Sequence, residues 1–449
     1  MKAIVPATGS RVLSTRQPLI QAGPGGVLPP LPRTAWIDID LDALVANVRL
    51  LKGLLPPDVG IQPVIKADAY GHGAVAVARA LVADGIRSFS VATFDEALEL
   101  RQAGIEVPIV ILYPIPPELA PHALAYCLSI TVGDRVLLER TLAALEAAGD
   151  GSGRLGVHVE VETGLGRGGA QPEEVASFAA TIQASPHAYL AGLWSHLQAP
   201  ADRRITSSQD DRFGVAAGLL AGAGVTLPTR HLAASGGLLA ATGGMYDVVR
   251  VGLAQYGIIP DGLSVAGENA TAAAQLKPVM SLRARPVRVA WLESGTGVSY
   301  GPTFTTTRRS RIATLPLGYA DGFPRSLSNR AQVLVRGQRV PQVGTVAMDA
   351  IMVDVTDVPG PQVTIDDEFT LIGEQRGATI SAVEVAQWGN TISYEVVTAM
   401  SGRLPRVYYS AAEAVGMRVV ASTSSRGPGR LDDPPVAVSE EETGALGCE

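Results

Sequence analysis

Cysteine is almost missing from this chain: 449 residues hold two, Cys127 in an apolar segment and Cys448 near the end. A pair so placed resembles neither a disulfide framework nor a CxxC metal site, so no metal is expected, and a reducing compartment, by default the cytoplasm, is. Long apolar runs are missing too. No stretch approaches the roughly 20 residues of a membrane helix, so no membrane span is expected. Positive charge is not in excess: 36 Lys and Arg stand against 43 Asp and Glu, for a net charge of −7. The basic residues are scattered, which argues against a nucleic-acid partner. Aromatics are only 5% of the chain, against 47% hydrophobic residues overall. That is an ordinary globular balance rich in Ala, Val, Leu and Gly.

The two ends read differently from the middle. Residues 1–33 are punctuated by Pro and Gly and lack a continuous apolar segment, so a disordered extension is expected there and a secretory signal is not. Residues 416–449, with a Ser/Gly/Pro stretch from Ala421 and acidic residues at 440–442, are expected to be a flexible tail. Over residues 34–275, short β-branched or apolar runs alternate with Ala/Leu-rich helical patterns. The runs are IQPVIKA, SFSVAT, VPIVIL, LSITV, RLGVHVEVE, YLAGLWSH, RHLAA and DVVRVG. Strict alternation argues for a parallel sheet. About eight units is the number that closes an α/β barrel of the (β/α)8, TIM-like kind, and an open doubly wound sheet remains the alternative. Residues 276–415 change to strand-like runs joined by Gly/Pro turns, a mainly β second domain. The TAWIDID segment before the barrel repeats is a strand that can pack on that β domain.

The sharpest local signal is VIKADAYGHG. Lys66 ends an apolar strand, on the face where a barrel opens to ligands. Backed by a low-dielectric core, its amine should be depressed in pKa and able to attack a carbonyl. A lone lysine at a strand end more often simply snorkels to the rim. Tyr70, His72 and the flanking glycines shift the balance by placing a phenol and close backbone approach in the same turn.

This motif, with several others in the same order over roughly residues 34–415, resembles the alanine racemase family. The resemblance implies a barrel plus β domain, pyridoxal 5'-phosphate as cofactor, and a homodimer with shared active sites. It implies that Lys66 bonds the cofactor and that Tyr70 binds its phosphate. In HVEVETGLGRGG, Arg167 would contact the cofactor and the substrate carboxylate, as a guanidinium fork can. Gly164, Gly166 and Gly169 also satisfy GxGxxG, but a dinucleotide site needs an acidic residue closing the next strand, and YLAGLWSH has none. His196 would lie beside the cofactor ring and Arg250 would face its pyridine nitrogen. On their own, these two read more readily as a satisfied core histidine and a structural ion pair. Ser235, Gly252 and the Leu253 amide match a phosphate cradle; Tyr256 matches a tyrosine of undefined role. In the β domain, Tyr300 matches a second catalytic base. Met348 and Asp349 match substrate-pocket residues, and Tyr319 and Asp321 match the entrance; these would reach the other subunit's cofactor.

The implied reaction interconverts L- and D-alanine by a two-base mechanism, Lys66 and Tyr300 standing on opposite faces of Cα, and supplies D-alanine for peptidoglycan. Racemisation of serine or a broader set stays open, as does a decarboxylase or aldolase of related fold, or a non-catalytic cofactor carrier. Three positions depart from the pattern. Glu160 stands where many members carry a carbamylated lysine that holds the motif arginine. Ala234 replaces a common asparagine. Gly402 occupies a place taken by a phosphate-binding tyrosine in some members, so a thinner cradle is expected.

Overall fold

The computed structural model describes residues 19–23, 27–149, 153–265 and 267–420. Six parallel strands pair in chain order: Phe89–Val91, Ile109–Ile111, Leu128–Val132, Leu155–Glu160, Ala188–Trp194 and Thr229–His231. Two more, Gly60–Pro63 and Val248–Val251, pair in parallel with each other. Parallel bridges Val64↔Ser90 and Ala234↔Arg250 join the two groups at both seams. The ring therefore closes on itself, as the α/β barrel reading expects, and the open-sheet alternative falls because the last strand meets the first. The runs look uniformly apolar because one face fills the barrel and helices cover the other. Ile109, Val110 and Ile111 are buried in succession.

The β domain holds a sheet of nine strands among the described residues. Ala35–Asp40 lies inside it, antiparallel to Met280–Ala284 and parallel to Arg406–Ser410. Its alternation follows the period of two: Ala35, Ile37 and Ile39 join the core shared with the barrel, and Trp36 faces away onto Val407, Met417 and Val419. Three further strands, Arg288–Leu292, Ser310–Leu315 and Ile351–Asp354, form a separate antiparallel sheet. Among the described residues, no helix is long and apolar enough to cross a membrane.

Both expected ends are shorter than the composition suggests. Leu19–Gln21, placed in the disordered extension, forms a strand on Glu413–Arg418, so the expectation for residues 1–33 fails there. Pairing satisfies an otherwise open sheet edge, and Ile20, Leu28 and Leu31 pack over the Trp36 cluster. Arg33 reaches the buried Asp321 at 2.7 Å. The tail expected from residue 416 likewise begins as ordered strand through Arg418. The acidic residues 440–442 and Cys448 lie outside the described residues.

Candidate active site

Lys66 leaves the first barrel strand at the ligand-facing rim. Residues 67–70 then all take left-handed backbone angles, with φ of 51, 55, 54 and 53°. For ordinary residues this costs about 1–2 kcal/mol each, so neighbours must hold it. The Ala67 N–H donates to Glu96 Oε1 at 2.6 Å. His72 Nδ1 lies 3.0 and 2.9 Å from the carbonyls of Ala69 and Tyr70. Both partners are acceptors, so Nδ1 carries the proton. The His72 ring stacks on Tyr256 with centroids 4.2 Å apart. Gly71 admits no side chain, since a Cβ there would meet the Val397 carbonyl oxygen at 2.2 Å. Burial lowers the Lys66 pKa from its ordinary value, the charge of Arg167 adds to this, Glu96 opposes it and Arg250 lowers it again.

The amine opens into a cavity of about 510 Å³. On the barrel floor, Arg250 is buried and donates to the carbonyls of Ser195 at 2.6 Å and His231 at 2.8 Å. Its Nη1 also meets His231 Nδ1 at 2.5 Å, and His231 Nε2 lies 3.1 Å from His158 Nδ1. Arginine has no acceptor. His231 Nδ1 must therefore accept, Nε2 carries the proton, and His158 accepts in turn. Burial, then the Arg250 charge, push His158 down to about 4. Burial also brings Arg250 down to about 9, still charged near neutral pH. His196 Nδ1 sits 3.3 Å from Arg250 Nη2.

Opposite lies a narrow cradle. Ser235 Oγ accepts from the Gly252 N–H at 2.9 Å. A Cβ on Gly252 would fall 2.7 Å from Tyr70 Oη, so only glycine lets the backbone come this near the phenol. Burial raises the Tyr70 pKa well above the ordinary phenol value, so Tyr70 stays a hydrogen-bond donor. Leu253 and Tyr394 complete the wall. Tyr394 comes from the β-domain helix Ser393–Thr398, whose Ser393 bonds Asp261 at 2.6 Å through its hydroxyl.

At the rim, Arg167 Nη2 donates to Glu160 Oε1 at 3.2 Å, and its guanidinium lies 5.5 Å from the Tyr113 ring centroid. Burial raises the Glu160 pKa, against the pull of Arg167. The neighbouring loop amides are already used: Gly164 and Gly166 donate to the carboxylate of Glu162. They offer a dinucleotide phosphate nothing.

Tyr300, Tyr319, Met348 and Asp349 do not enter this cavity. They line a second one of about 470 Å³, with no lining residue in common with the first. Tyr300 is 75% exposed, and Met348 and Tyr319 are exposed beside it. Asp349 pairs with Arg403 at 2.6 Å, and Asp321 is buried beneath, accepting from the Gly318 N–H at 3.0 Å.

Two family models match the chain: "Alanine racemase, N-terminal domain" over residues 39–260 and "Alanine racemase, C-terminal domain" over residues 279–408. The alanine racemase of Desulfovibrio desulfuricans is 41% identical over 379 residues, 84% of this chain and 98% of the relative. That of Symbiobacterium thermophilum is 42% identical over 381 residues, covering 84% and 97%. The crystal structure of alanine racemase from Bacillus anthracis with bound L-Ala-P has a TM-score of 0.79 at 33% identity, covering 87% of this chain and 98% of that one. The chain belongs to the alanine racemase family.

It is thereby a racemase-type isomerase, and the site can be compared with the family pattern. Ala234 does line the cavity in place of a polar side chain. Gly402 is not among the lining residues, whereas Tyr394 is; the β domain thus gives the cradle a phenol from Tyr394, and the expectation of a thinner cradle from Gly402 is corrected there. Sequence reasoning missed Tyr394, His158, His231, Trp194 and Glu96. A signal was present for His158, which lies two residues before Glu160 and therefore on the same strand face. The donor set fits pyridoxal phosphate: one depressed amine for the aldehyde, two guanidinium cations, and a hydroxyl-lined cradle too tight for a Cβ. The cavity volume is in the range of small-ligand sites.

Proposed function

We propose that this enzyme racemises alanine with pyridoxal phosphate, as a homodimer whose active sites each combine one subunit's barrel with the other's β domain. The observation that carries this is the split of the polar residues into two half-sites: a cationic cavity holding Lys66, and a separate exposed surface bearing Tyr300, Tyr319 and Met348. An exposed phenol amid apolar and aromatic side chains is what an isologous interface presents before it is covered.

When bound, pyridoxal phosphate supplies an electrophilic carbonyl and an electron-withdrawing ring that acidifies the substrate Cα–H. The chain supplies the rest. Tyr70, Tyr394, Ser235 and the Leu253 amide would bind the phosphate, with Gly252, its N–H held by Ser235 Oγ, letting the backbone lie close to it. Arg250, which cannot act as a base, would face the ring nitrogen and keep it largely unprotonated, restraining the electron sink. His196, 3.3 Å from Arg250, would lie beside the ring. Arg167, oriented by Glu160, binds the substrate carboxylate. Lys66, whose amine pKa is lowered by burial and by the charge of Arg167, moves a proton at one face of Cα. Tyr300 of the partner subunit moves a proton at the other, so the configuration inverts. Asp349 and Tyr319 support the pocket mouth and Met348 limits its width. The product D-alanine would serve peptidoglycan in the cytoplasm.

The test is solvent deuterium incorporation at Cα with loss of optical rotation, across a panel of L- and D-amino acids. Exchange and racemisation of both alanine enantiomers, fastest in the panel, is the expected result. Faster turnover of serine would reassign the substrate, and loss of carbon dioxide or cleavage without racemisation would defeat the proposal.

A further inference from the structure

A left-handed turn of four ordinary residues persists only where its surroundings over-determine it. Part of the restraint on the Lys66 turn comes from the barrel, through Glu96 and His72. Another part comes from the far end of the chain. Asp68, two residues beyond Lys66, receives both terminal nitrogens of the Arg418 guanidinium; Nη1 reaches Oδ1 at 2.8 Å. Asp68 Oδ1 also accepts from the Ala74 N–H at 2.9 Å. The pair is sheltered, with the two side chains 13% and 27% exposed for Arg418 and Asp68. Two-point contact out of bulk solvent separates it from an ordinary surface ion pair.

Arg418 closes the strand Glu413–Arg418, past residue 408 where the family match ends. Leu19 of the N-terminal strand is its register partner. On the adjacent strand, buried Arg406 donates from Nε and Nη2 to the Gly71 carbonyl, at 3.2 Å each. A Cβ on Gly73 would lie 2.0 Å from Tyr408 Oη. The last two strands of the β domain thus press directly on the turn that carries Lys66 and Tyr70.

We propose that Arg418 is a positioning residue: through its two-point pair with Asp68 it holds residues 67–70 left-handed and so sets where Lys66 and Tyr70 point. The significance of those two side chains rests on the cofactor reading above, but the clamp itself does not. Hydrogen exchange on the full chain, with and without added pyridoxal phosphate, tests it alongside cofactor titration. The amides of Ala69, Gly71 and Gly73 are hydrogen-bonded within the turn. In Arg418→Met they are expected to exchange at least tenfold faster, while amides of the Gln332–Val335 strand stay unchanged. The cofactor dissociation constant should rise tenfold or more. Arg418→Lys should recover part of both effects, and adding Asp68→Asn to Arg418→Met should add little, as partners in one pair require.

Flat exchange in the turn, acceleration shared equally by Gln332–Val335, or cofactor affinity within twofold of the parent would each overturn the proposal. Should Arg418→Met fail to fold, Asp68→Asn decides by the same comparison. If exchange responds as expected but the unsubstituted chain does not bond pyridoxal phosphate, the clamp stands and the cofactor reading falls.

Discussion

Glu160 and Arg167 are joined across the mouth of the barrel, the carboxylate at the end of one strand accepting from the guanidinium of the following loop at 3.2 Å. In many family members a modified lysine supplies the anion at this place; here a carboxylate is built in and requires no carbon dioxide. Burial raises the Glu160 pKa. A raised carboxyl pKa means the charged form is disfavoured by folding, so its stability contribution is lost as pH rises. Glu160→Gln should therefore leave the unfolding midpoint at pH 7 unchanged or slightly higher, while kcat/KM falls about 10- to 100-fold from a poorly held Arg167. Unchanged kinetics would reject the orienting role.

Shared sites predict complementation. Lys66→Ala should lose the absorbance of lysine-bound cofactor, and Tyr300→Phe should keep it while losing about 10²- to 10⁴-fold in turnover in at least one direction. Mixed and re-dimerised, the two inactive variants should regain about one quarter of parental activity, since half the dimers are mixed and each carries one intact site. No recovery on verified subunit exchange would mean that Lys66 and Tyr300 act within one subunit, and would overturn the shared-site reading.

The buried histidines predict sensitivity to acid. Burial pushes His72 and His158 down to about 4 and His231 well below its ordinary value. A base whose folded pKa is depressed contributes stability that is fully present above the unfolded value of about 6.5 and fades as pH falls toward the folded one. Each such histidine steepens the loss by up to about 1.4 kcal/mol per pH unit. Urea midpoints should fall clearly between pH 7 and 5. Replacing His158 by Gln should flatten that slope, and a flat parental profile would contradict the burial argument.

The cradle predicts a steric effect confined to the cofactor. A methyl at residue 252 meets Tyr70 Oη, so Gly252→Ala should weaken pyridoxal phosphate retention on gel filtration about tenfold or more, with little change in the thermal midpoint of the cofactor-free protein. Tyr394→Phe should show a smaller loss, because it removes one donor and adds no bulk.

The barrel strands were readable from the chain because a strand buried on both faces must be a short apolar run, and a helix between two of them must be amphipathic. Lys66 stood out through a local motif at a strand end, whereas Arg167, Arg250 and Tyr300 were legible only through the resemblance to the alanine racemase family. Local pattern could not reveal that Leu19–Gln21 covers an open edge, that Tyr394 lines the barrel cavity, or that Arg418 grips Asp68. Each depends on which distant group happens to satisfy a buried charge or an unpaired backbone, and 350 residues separate the last pair. Periodicity and composition are properties of neighbours along the chain. The compensation of a sheltered carboxylate is decided only when folding brings its partner to it.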